Sequence, residues 1–194
     1  MLDRRFDDAA LLGDVAAARD GNERAFTRLT AALQPRVYRW ALAFAHDADE
    51  ADDITQDVFI ALYRSLRKYR GDAPLHAWLY RITRRAAESR RRTAARRERL
   101  RMTYSERGNP VYHTDPGGRV DRANVAALVR EFFATLPPRQ REIFDLVDLQ
   151  GYDPSDVATM IEMNPSTVRA HLFRARSAVR ARLLAEHPAT VAER

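Results

Sequence analysis

The sequence predicts an all-α protein built from two small helical domains joined by a flexible linker, the C-terminal one a tetrahelical helix-turn-helix. Apolar residues return every third or fourth position through most of the 194 residues, which is the helical period. No segment of useful length alternates with the period of a strand. A glycine- and proline-rich segment without any period separates the two halves, so we predict domains at 1–92 and 121–187, a linker at 93–120 and a tail at 188–194.

Three helices are predicted in the first domain. Residues 22–45 carry an apolar face, which Pro35 is expected to kink or break. A second helix is expected over 47–69, capped by Asp49 with Asp52 three residues later. Gly71 and Pro74 mark a connection before a third helix over 75–92. The apolar faces of the first two helices consist of Phe26, Leu29, Leu33, Val37, Trp40 and Phe44, and of Ile54, Val58, Ala61 and Leu62.

The second domain shows four helical segments, at 121–135, 138–150, 154–161 and 165–186, with clear punctuation between them. Gly151 closes the second helix, and Asn164 followed by Pro165 is a typical start for the fourth. A short helix, a tight turn and a longer basic helix make up a helix-turn-helix. The sequence therefore predicts that 154–161 and 165–183 form this motif.

The fourth helix of this domain has two different faces. On a helical wheel, Val168, Leu172, Ala175 and Val179 share one narrow face, which we assign to the core. The opposite face lies near the N-terminus of the helix, where this motif reaches base edges in the major groove and where helix dipoles favour phosphate. A solvated basic face is the alternative reading, and Arg176, Arg180 and Arg182 are expected to serve phosphates or solvent. The candidate duplex-contacting residues are Ser166, Thr167, Arg169, Ala170, Phe173 and Arg174.

Charge is segregated in the first domain. Residues 47–57 hold six carboxylates and no basic residue, whereas residues 81–107 hold eleven arginines against three glutamates. One partner is not expected to take both surfaces, so the acidic helix reads as protein-binding and the basic one as nucleic-acid-binding. A helix first turn favoured by the macrodipole is the alternative for the acidic run. Tyr69, Trp78 and Tyr80 beside the arginines could stack on unpaired bases, and the alternative is that Trp78 and Tyr80 belong to the core.

Several function classes are excluded or disfavoured. The chain has no cysteine, which removes disulfides, thiolate metal sites and cysteine nucleophiles. Its N-terminus does not resemble a signal peptide and no apolar run is long enough to span a membrane, so a cytoplasmic protein is expected. The five histidines lack metal-ligand spacing, and there is neither a phosphate-cradling glycine loop nor a nucleophile–base pair. We therefore expect a protein that is not an enzyme and needs no cofactor or metal.

Two stretches together resemble the extracytoplasmic-function (group IV) sigma factors of bacterial RNA polymerase. "DEADDITQDVFIALYRSLRKYRGDAPLHAWLYRITRRAA" is similar to the second sigma region, and "LPPRQREIFDLVDLQGYDPSDVATMIEMNPSTVRAHLFRARSAVRARL" is similar to the fourth. They occur in the expected order, with a loose linker between them and no third region. The resemblance implies a sigma factor that binds core RNA polymerase and promoter DNA, commonly held inactive by an anti-sigma factor.

The resemblance also implies roles for particular residues. The −35 element would be contacted at Arg169, Phe173 and Arg174, in agreement with the wheel. The largest polymerase subunit would be contacted by Asp53, Gln56, Asp57 and Phe59. The melted −10 element would be read and held by the loop from Gly71 to Ala77 and the helix after it, through Asp72, Leu75, His76, Trp78, Arg81, Arg84 and Arg85.

The chain departs from the family pattern at a few positions, and other functions stay open on sequence alone. Glu162 stands in the helix-turn-helix turn where glycine is common, and it could alter DNA binding or point away. His171 replaces a common basic position. The alternatives are a polymerase-independent helix-turn-helix repressor, an RNA-binding antiterminator using 81–107, and a hydrolase built on the 47–57 carboxylates. Segregated acidic and basic surfaces favour the sigma factor.

Overall fold

The computed structural model describes residues 8–104 and 135–186, and every regular element in these two ranges is helical. This confirms the predicted all-α class. The predicted helix 121–135 (save Thr135), the tail and residues 105–120 of the predicted linker lie outside the described residues. The helices are α1 Asp8–Arg19, α2 Glu23–Leu42, α3 Ala48–Ser65, α4 Leu75–Tyr104, α5 Pro138–Phe144, α6 Pro154–Ile161 and α7 Pro165–Glu186.

The chain divides into two compact units. Among the described residues, the first unit holds 8–104 together with 155–163, and the second holds 135–154 together with 164–186. In the first unit, α2 packs against α1, α3 and α4, so it is the central helix. The helix α1 was not among the sequence predictions. The predicted domain limits stay a prediction.

The helix α2 runs without interruption through Pro35, so the predicted break is wrong. An internal proline costs a helix about 3 kcal/mol because it lacks an N–H donor and crowds the preceding turn. Burial of one large apolar side chain returns about 1.5–3 kcal/mol. Four predicted core residues of this helix are completely buried, which outweighs the proline: Leu29, Leu33, Val37 and Trp40.

The N-cap of α3 lies two residues before the predicted one. Asp47, in an extended conformation, accepts a hydrogen bond from the Glu50 backbone N–H at 2.7 Å, so Asp47 and not Asp49 is the N-cap. Glu50 in turn accepts one from the His46 N–H at 2.7 Å. These reciprocal bonds satisfy two backbone donors at the helix start. Ile54, Val58 and Leu62 are buried as predicted, and Ala61 is half-buried.

The helix α4 continues to Tyr104, twelve residues past its predicted end, so residues 93–104 of the predicted linker are helical. This stretch lacks an apolar period, and the described side chains between Thr93 and Leu100 are exposed. It is nevertheless rich in alanine, arginine and leucine, which have high helix propensity. The missing apolar period therefore indicated that this stretch does not pack against another element. It did not indicate that the helix ends.

In the second unit, α5 packs against α7. The chain continues from α5 as a π-helical turn, Asp145–Leu149, and Gly151 ends it with a φ of 78°. The wheel prediction for α7 is confirmed at Val168, Leu172 and Ala175, which are buried, while Val179 is half-buried. Ile143, Leu146 and Leu136 complete the buried apolar set of this unit.

Asp145 makes the stability of the protein depend on pH. Burial is the main cause that raises the pKa of Asp145 from 3.8 to about 6; the hydrogen bond from Gln150 opposes the shift and the nearby Glu142 charge adds to it. A carboxyl group with a raised folded-state pKa stabilises the fold at low pH. That stability is lost as pH rises from about 4 to 6 and does not return above it.

Asp145→Asn should therefore stabilise the protein at neutral pH. The amide keeps an acceptor for Gln150 but cannot ionise. Its free energy of unfolding relative to wild type is expected to rise by about 1–3 kcal/mol between pH 4 and pH 7.5. Urea unfolding of the two full-length proteins across that range measures the difference. A difference that stays constant with pH would contradict this account.

Candidate protein- and nucleic-acid-binding surfaces

The N-terminal end of α7 is built to present side chains outward. Asn164 accepts hydrogen bonds from the backbone N–H and the hydroxyl of Ser166, at 3.0 and 2.8 Å. This cap and the proline at the first helical position set the start of the helix. With Val168, Leu172 and Ala175 buried, the opposite side is left open. All six candidate duplex-contacting residues are exposed: Ser166, Thr167, Arg169, Ala170, Phe173 and Arg174.

This exposed side of α7 is basic and carries one unusual aromatic residue. Phe173 is 72% exposed, a costly position for a large apolar side chain in water, and Arg169 and Arg174 flank it along the helix. Within the described residues, neither arginine is paired with a carboxylate. The guanidinium groups are therefore available for bidentate contacts to guanine or phosphate, and Phe173 for apolar contact with a thymine methyl group.

Not every arginine of α7 is available in this way. The guanidinium of Arg176 forms a two-pronged ion pair with Asp148, with N···O distances of 2.6 and 3.0 Å. This pairing raises the pKa of Arg176. The expectation that Arg176 serves phosphates or solvent is corrected, because the side chain joins α7 to the π-helical turn. Spacing along α7 does not reveal a partner 28 residues earlier.

The turn before α7 is closed by Glu162 in a left-handed conformation with φ of 56°, the only positive φ at a non-glycine residue among those described. The Met163 N–H donates to the Ala158 carbonyl at 2.9 Å, which is the long bond of a helix end with a left-handed residue. In the first unit, the Glu162 carboxylate pairs with Arg81 at 2.6 Å. The negative charge in the turn is thus directed at an arginine of α4.

Glu162→Gly should raise the free energy of unfolding by about 0.5–1 kcal/mol, because a side chain in the left-handed region costs about 1–2 kcal/mol. Loss of the Arg81 pair subtracts little, since Glu162 is mostly exposed. Glu162→Gln is the matched control, as it removes the charge and keeps the backbone cost. Urea unfolding of the three proteins decides the matter. If the glycine variant is no more stable than the glutamine variant, the cost of the left-handed backbone does not account for the stability at this position.

The connection before α4 is held in a defined shape. Gly71 has a φ of 80°, which favours glycine. The hydroxyl of Tyr69 donates to the Ala73 carbonyl at 2.9 Å, and the Tyr69 ring lies 4.8 Å from that of Trp78. Burial raises the pKa of Tyr69 above its ordinary value. The loop therefore reaches α4 as an ordered surface.

The residues predicted to bind the −10 element fall into three groups: accessible, buried, and paired with carboxylates of the same chain. Asp72 and Arg85 are exposed, and Trp78 is half-buried. Leu75 is completely buried, so here it anchors the helix start and offers no surface to a ligand.

The third group is already paired within the chain. The backbone N–H and ring Nδ1 of His76 lie 3.3 and 3.2 Å from the two oxygens of Asp8. Arg81 pairs with Glu162, and Arg84 with Glu88 at 3.1 Å. A strand of DNA would have to share or displace these carboxylates.

The aromatic residues beside the basic run divide between core and surface. Tyr80 is buried and its ring meets Trp40 edge-on at 5.3 Å, while Tyr69 is also buried. The core interpretation therefore holds for Tyr80, and Tyr69 is a further core residue that the sequence did not indicate. Trp78 is the aromatic residue of this group that keeps an accessible edge.

The outward side of α3 carries the residues that the sequence predicts to bind polymerase. Asp53 and Gln56 are exposed, Asp57 is partly exposed and Phe59 is half-buried. Sequence reasoning missed Ile60, which is 43% exposed. Its position seven residues after Asp53 and four after Gln56 puts it on the same helical face. This spacing in the sequence could have shown that an apolar residue adjoins the acidic surface.

Acidic and basic runs meet on this side, so they are not segregated as predicted. Arg90, from the basic run, donates through Nε to Asp57 at 2.5 Å and through Nη1 to Asp53 at 2.7 Å. The hydrogen bond to Asp57 is the main cause of the raised pKa of Arg90. We call this trio the α3–α4 clamp. It joins residues more than thirty positions apart.

The described residues show neither a candidate metal site nor a helix suited to cross a membrane. They contain no group of three or more histidine, cysteine, aspartate or glutamate side chains arranged to hold a metal ion. No helix in the same ranges is long and apolar enough to cross a membrane.

Family models and curated relatives match most of the chain. The models for Sigma-70 region 2 and Sigma-70, region 4 match residues 29–97 and 126–179. The RNA polymerase sigma-H factor of Pseudomonas aeruginosa is 31% identical over 167 residues, covering 82% of this chain and 86% of that protein. The ECF RNA polymerase sigma factor SigM of Mycobacterium tuberculosis is 31% identical over 178 residues, covering 91% and 84%.

Solved structures share the fold. CnrH, determined in complex with the cytosolic domain of CnrY, is 25% identical with a TM-score of 0.65, covering 89% of this chain and 96% of CnrH. The sigma factor RpoE of Bartonella quintana, determined with the anti-sigma factor NepR, is 21% identical with a TM-score of 0.60, covering 80% and 94%.

Proposed function

Because this chain belongs to the extracytoplasmic-function sigma factors of the sigma-70 family, we propose that it binds core RNA polymerase through α3 and directs initiation at promoters with paired −35 and −10 elements. Sigma factors are transcription initiation factors and not enzymes. The observation that carries the proposal is the exposure of both candidate surfaces, one acidic on α3 and one basic on α7.

Duplex readout of the −35 element is assigned to α7. Its exposed side combines two arginines, two hydroxyl residues and Phe173 around a helix N-terminus, and the dipole there attracts phosphate. Arginine supplies bidentate readout of guanine, which lysine cannot match in geometry. The chain has a single lysine, Lys68, so its basic contacts fall to arginine.

Capture of the melted −10 strand is assigned to the loop before α4 and the first turns of α4. Asp72 is exposed and can contact bases, and Trp78 has an accessible edge on which a base can stack. Arg85 is exposed and can bind the phosphate backbone of the DNA strand. Binding unpaired bases more tightly than the duplex shifts the promoter toward its open form. This step uses binding energy alone, so no nucleotide hydrolysis or cofactor is required of the chain.

The two contacts act together because polymerase holds both parts of the chain near one promoter. Linked weak contacts gain affinity through effective concentration. The acidic side of α3 supports the polymerase assignment, since a surface with exposed Asp53 and Gln56 is poorly suited to DNA. Because bacterial RNA polymerase is cytoplasmic, a chain that binds it would also be in the cytoplasm.

An anti-sigma partner is part of the same proposal. One structure of similar fold was determined with an anti-sigma factor bound, and the sigma-factor surfaces described above would have to be covered to silence this chain. The repressor, antiterminator and hydrolase alternatives find no support in a specific feature of the described residues.

In vitro transcription tests the proposal directly. Purified core polymerase with this chain should initiate at a promoter selected by the reconstituted holoenzyme from a random library, and core alone should not. Gel filtration should show the chain eluting with core. If the chain neither co-elutes with core nor directs initiation, the proposed function is wrong.

A further inference from the structure

Arg90 of α4 holds two of the acidic residues that are assigned to polymerase binding. Arg90 bridges Asp53 and Asp57, which lie one helical turn apart on α3. We propose that Arg90 is a positioning residue of the polymerase-binding surface, and that it fixes both carboxylates in the geometry in which a basic partner surface meets them. This inference rests on the proposed function.

The contact uses the fork of the guanidinium group. Nε binds Asp57 and Nη1 binds Asp53, each through the Oδ2 atom of the aspartate. The Oδ1 atoms are not engaged by Arg90, so each aspartate keeps an acceptor for a partner. A lysine ammonium is a point charge on a flexible stem and does not hold two carboxylates in one plane.

The exposure of its side chains indicates that the clamp is part of the protein surface and not part of the buried core. The Asp53 and Asp57 side chains are 57% and 41% exposed, whereas Arg90 is 33% exposed and lies beneath them. A pair this accessible adds little to folding stability. What it does add is order, since two carboxylates four residues apart on a helix repel and would otherwise spread over several rotamers.

The positive charge of Arg90 also neutralises one of the two aspartate charges. This lowers the attraction of the surface for a basic partner and so opposes the gain in affinity from positioning. Its removal would make the surface more negative and speed encounter with a basic partner. At physiological salt, charges separated by more than about 8 Å are largely screened, so the gain at long range is small. The geometry of close contacts decides the lifetime of the complex, and the positioning effect therefore prevails.

The test compares Arg90→Lys, Arg90→Ala and the control Arg91→Ala, each as the full chain, for affinity to purified core polymerase at 0.15 M salt. Arg91 is exposed and adjacent on the same helix, so its removal loses the same charge outside the clamp. Affinity should fall about three- to tenfold for Arg90→Lys and at least as much for Arg90→Ala. Arg91→Ala should stay within twofold of wild type.

A double-substitution cycle separates positioning from a general structural role. With Asp57→Ala already present, Arg90→Lys should cost much less than in the wild-type chain, because one arm of the clamp is gone. Thermal unfolding should move little in either variant. A loss of the same size in both backgrounds would overturn the proposal, as would affinity that is equal or tighter for Arg90→Lys or Arg90→Ala.

These outcomes are distinct from failure of the proposed function. If the wild-type chain does not bind core polymerase, the proposed function fails and the clamp has no such partner. If the wild-type chain binds and Asp53→Ala with Asp57→Ala weakens it, while Arg90→Lys does not, only the inference about Arg90 fails.

Discussion

Replacing Arg169 and Arg174 together with alanine is expected to lower affinity for −35 duplex DNA by about 30-fold or more and to leave binding to core polymerase unchanged. Both side chains are exposed on α7 opposite its buried stripe, so their loss leaves packing intact. A good bidentate contact to a base contributes about 1–3 kcal/mol. Two such contacts give at least 2 kcal/mol, or about 30-fold in affinity.

Fluorescence anisotropy at fixed salt measures this effect. The probe is a duplex enriched from a random pool by the wild-type chain, and a scrambled duplex reports nonspecific binding. Arg180→Ala is the control for each single change, since it removes one exposed arginine farther along the same helix and should cost less than about threefold. Equal losses on both duplexes, or loss of polymerase binding, would contradict base readout by α7.

Replacing Asp53 and Asp57 together with alanine is expected to do the reverse. Binding to core polymerase should weaken about 10- to 100-fold, and affinity for the enriched duplex should stay within about twofold of wild type. Truncating one partner of a charge pair that becomes buried in an interface costs about 2–5 kcal/mol. We place the expected value at the lower end because both side chains are substantially exposed in the free protein.

A matched control is available on the same helix. Asp49→Ala with Asp52→Ala removes the same net charge from exposed positions outside the clamp, and should change polymerase affinity by less than about threefold. If this control weakens binding as much as the Asp53 and Asp57 pair, polymerase senses net charge and not a specific surface. The surface assigned to α3 would then be wrong.

Local patterns in the sequence predicted much of the fold because they record one-dimensional periodicity. The apolar repeats predicted which faces of α2, α3 and α7 are buried, and Trp40, Leu62 and Leu172 are buried as expected. The exposed side of α7 followed from the same wheel. Such predictions succeed because side chains on one helix share a fixed angular relation that the order of residues determines.

The wrong predictions had different physical causes. Pro35 was expected to kink or break a helix, and the break does not occur because burial of the side chains around it outweighs its cost. Residues 93–104 were assigned to a linker because they lack a packing face, although their composition favours a helix. The true cap of α3, Asp47, stood two residues before the predicted one.

By itself, then, the sequence determined the helical class, the buried stripes and the side of α7 that faces solvent. Only the tertiary structure decided which charges meet. Arg90 reaches Asp53 and Asp57 across two packed helices, and Arg176 reaches Asp148 across 28 residues of chain. The physical reason is that an ion pair requires proximity within about 4 Å, and proximity between distant residues follows from packing and not from spacing along the chain.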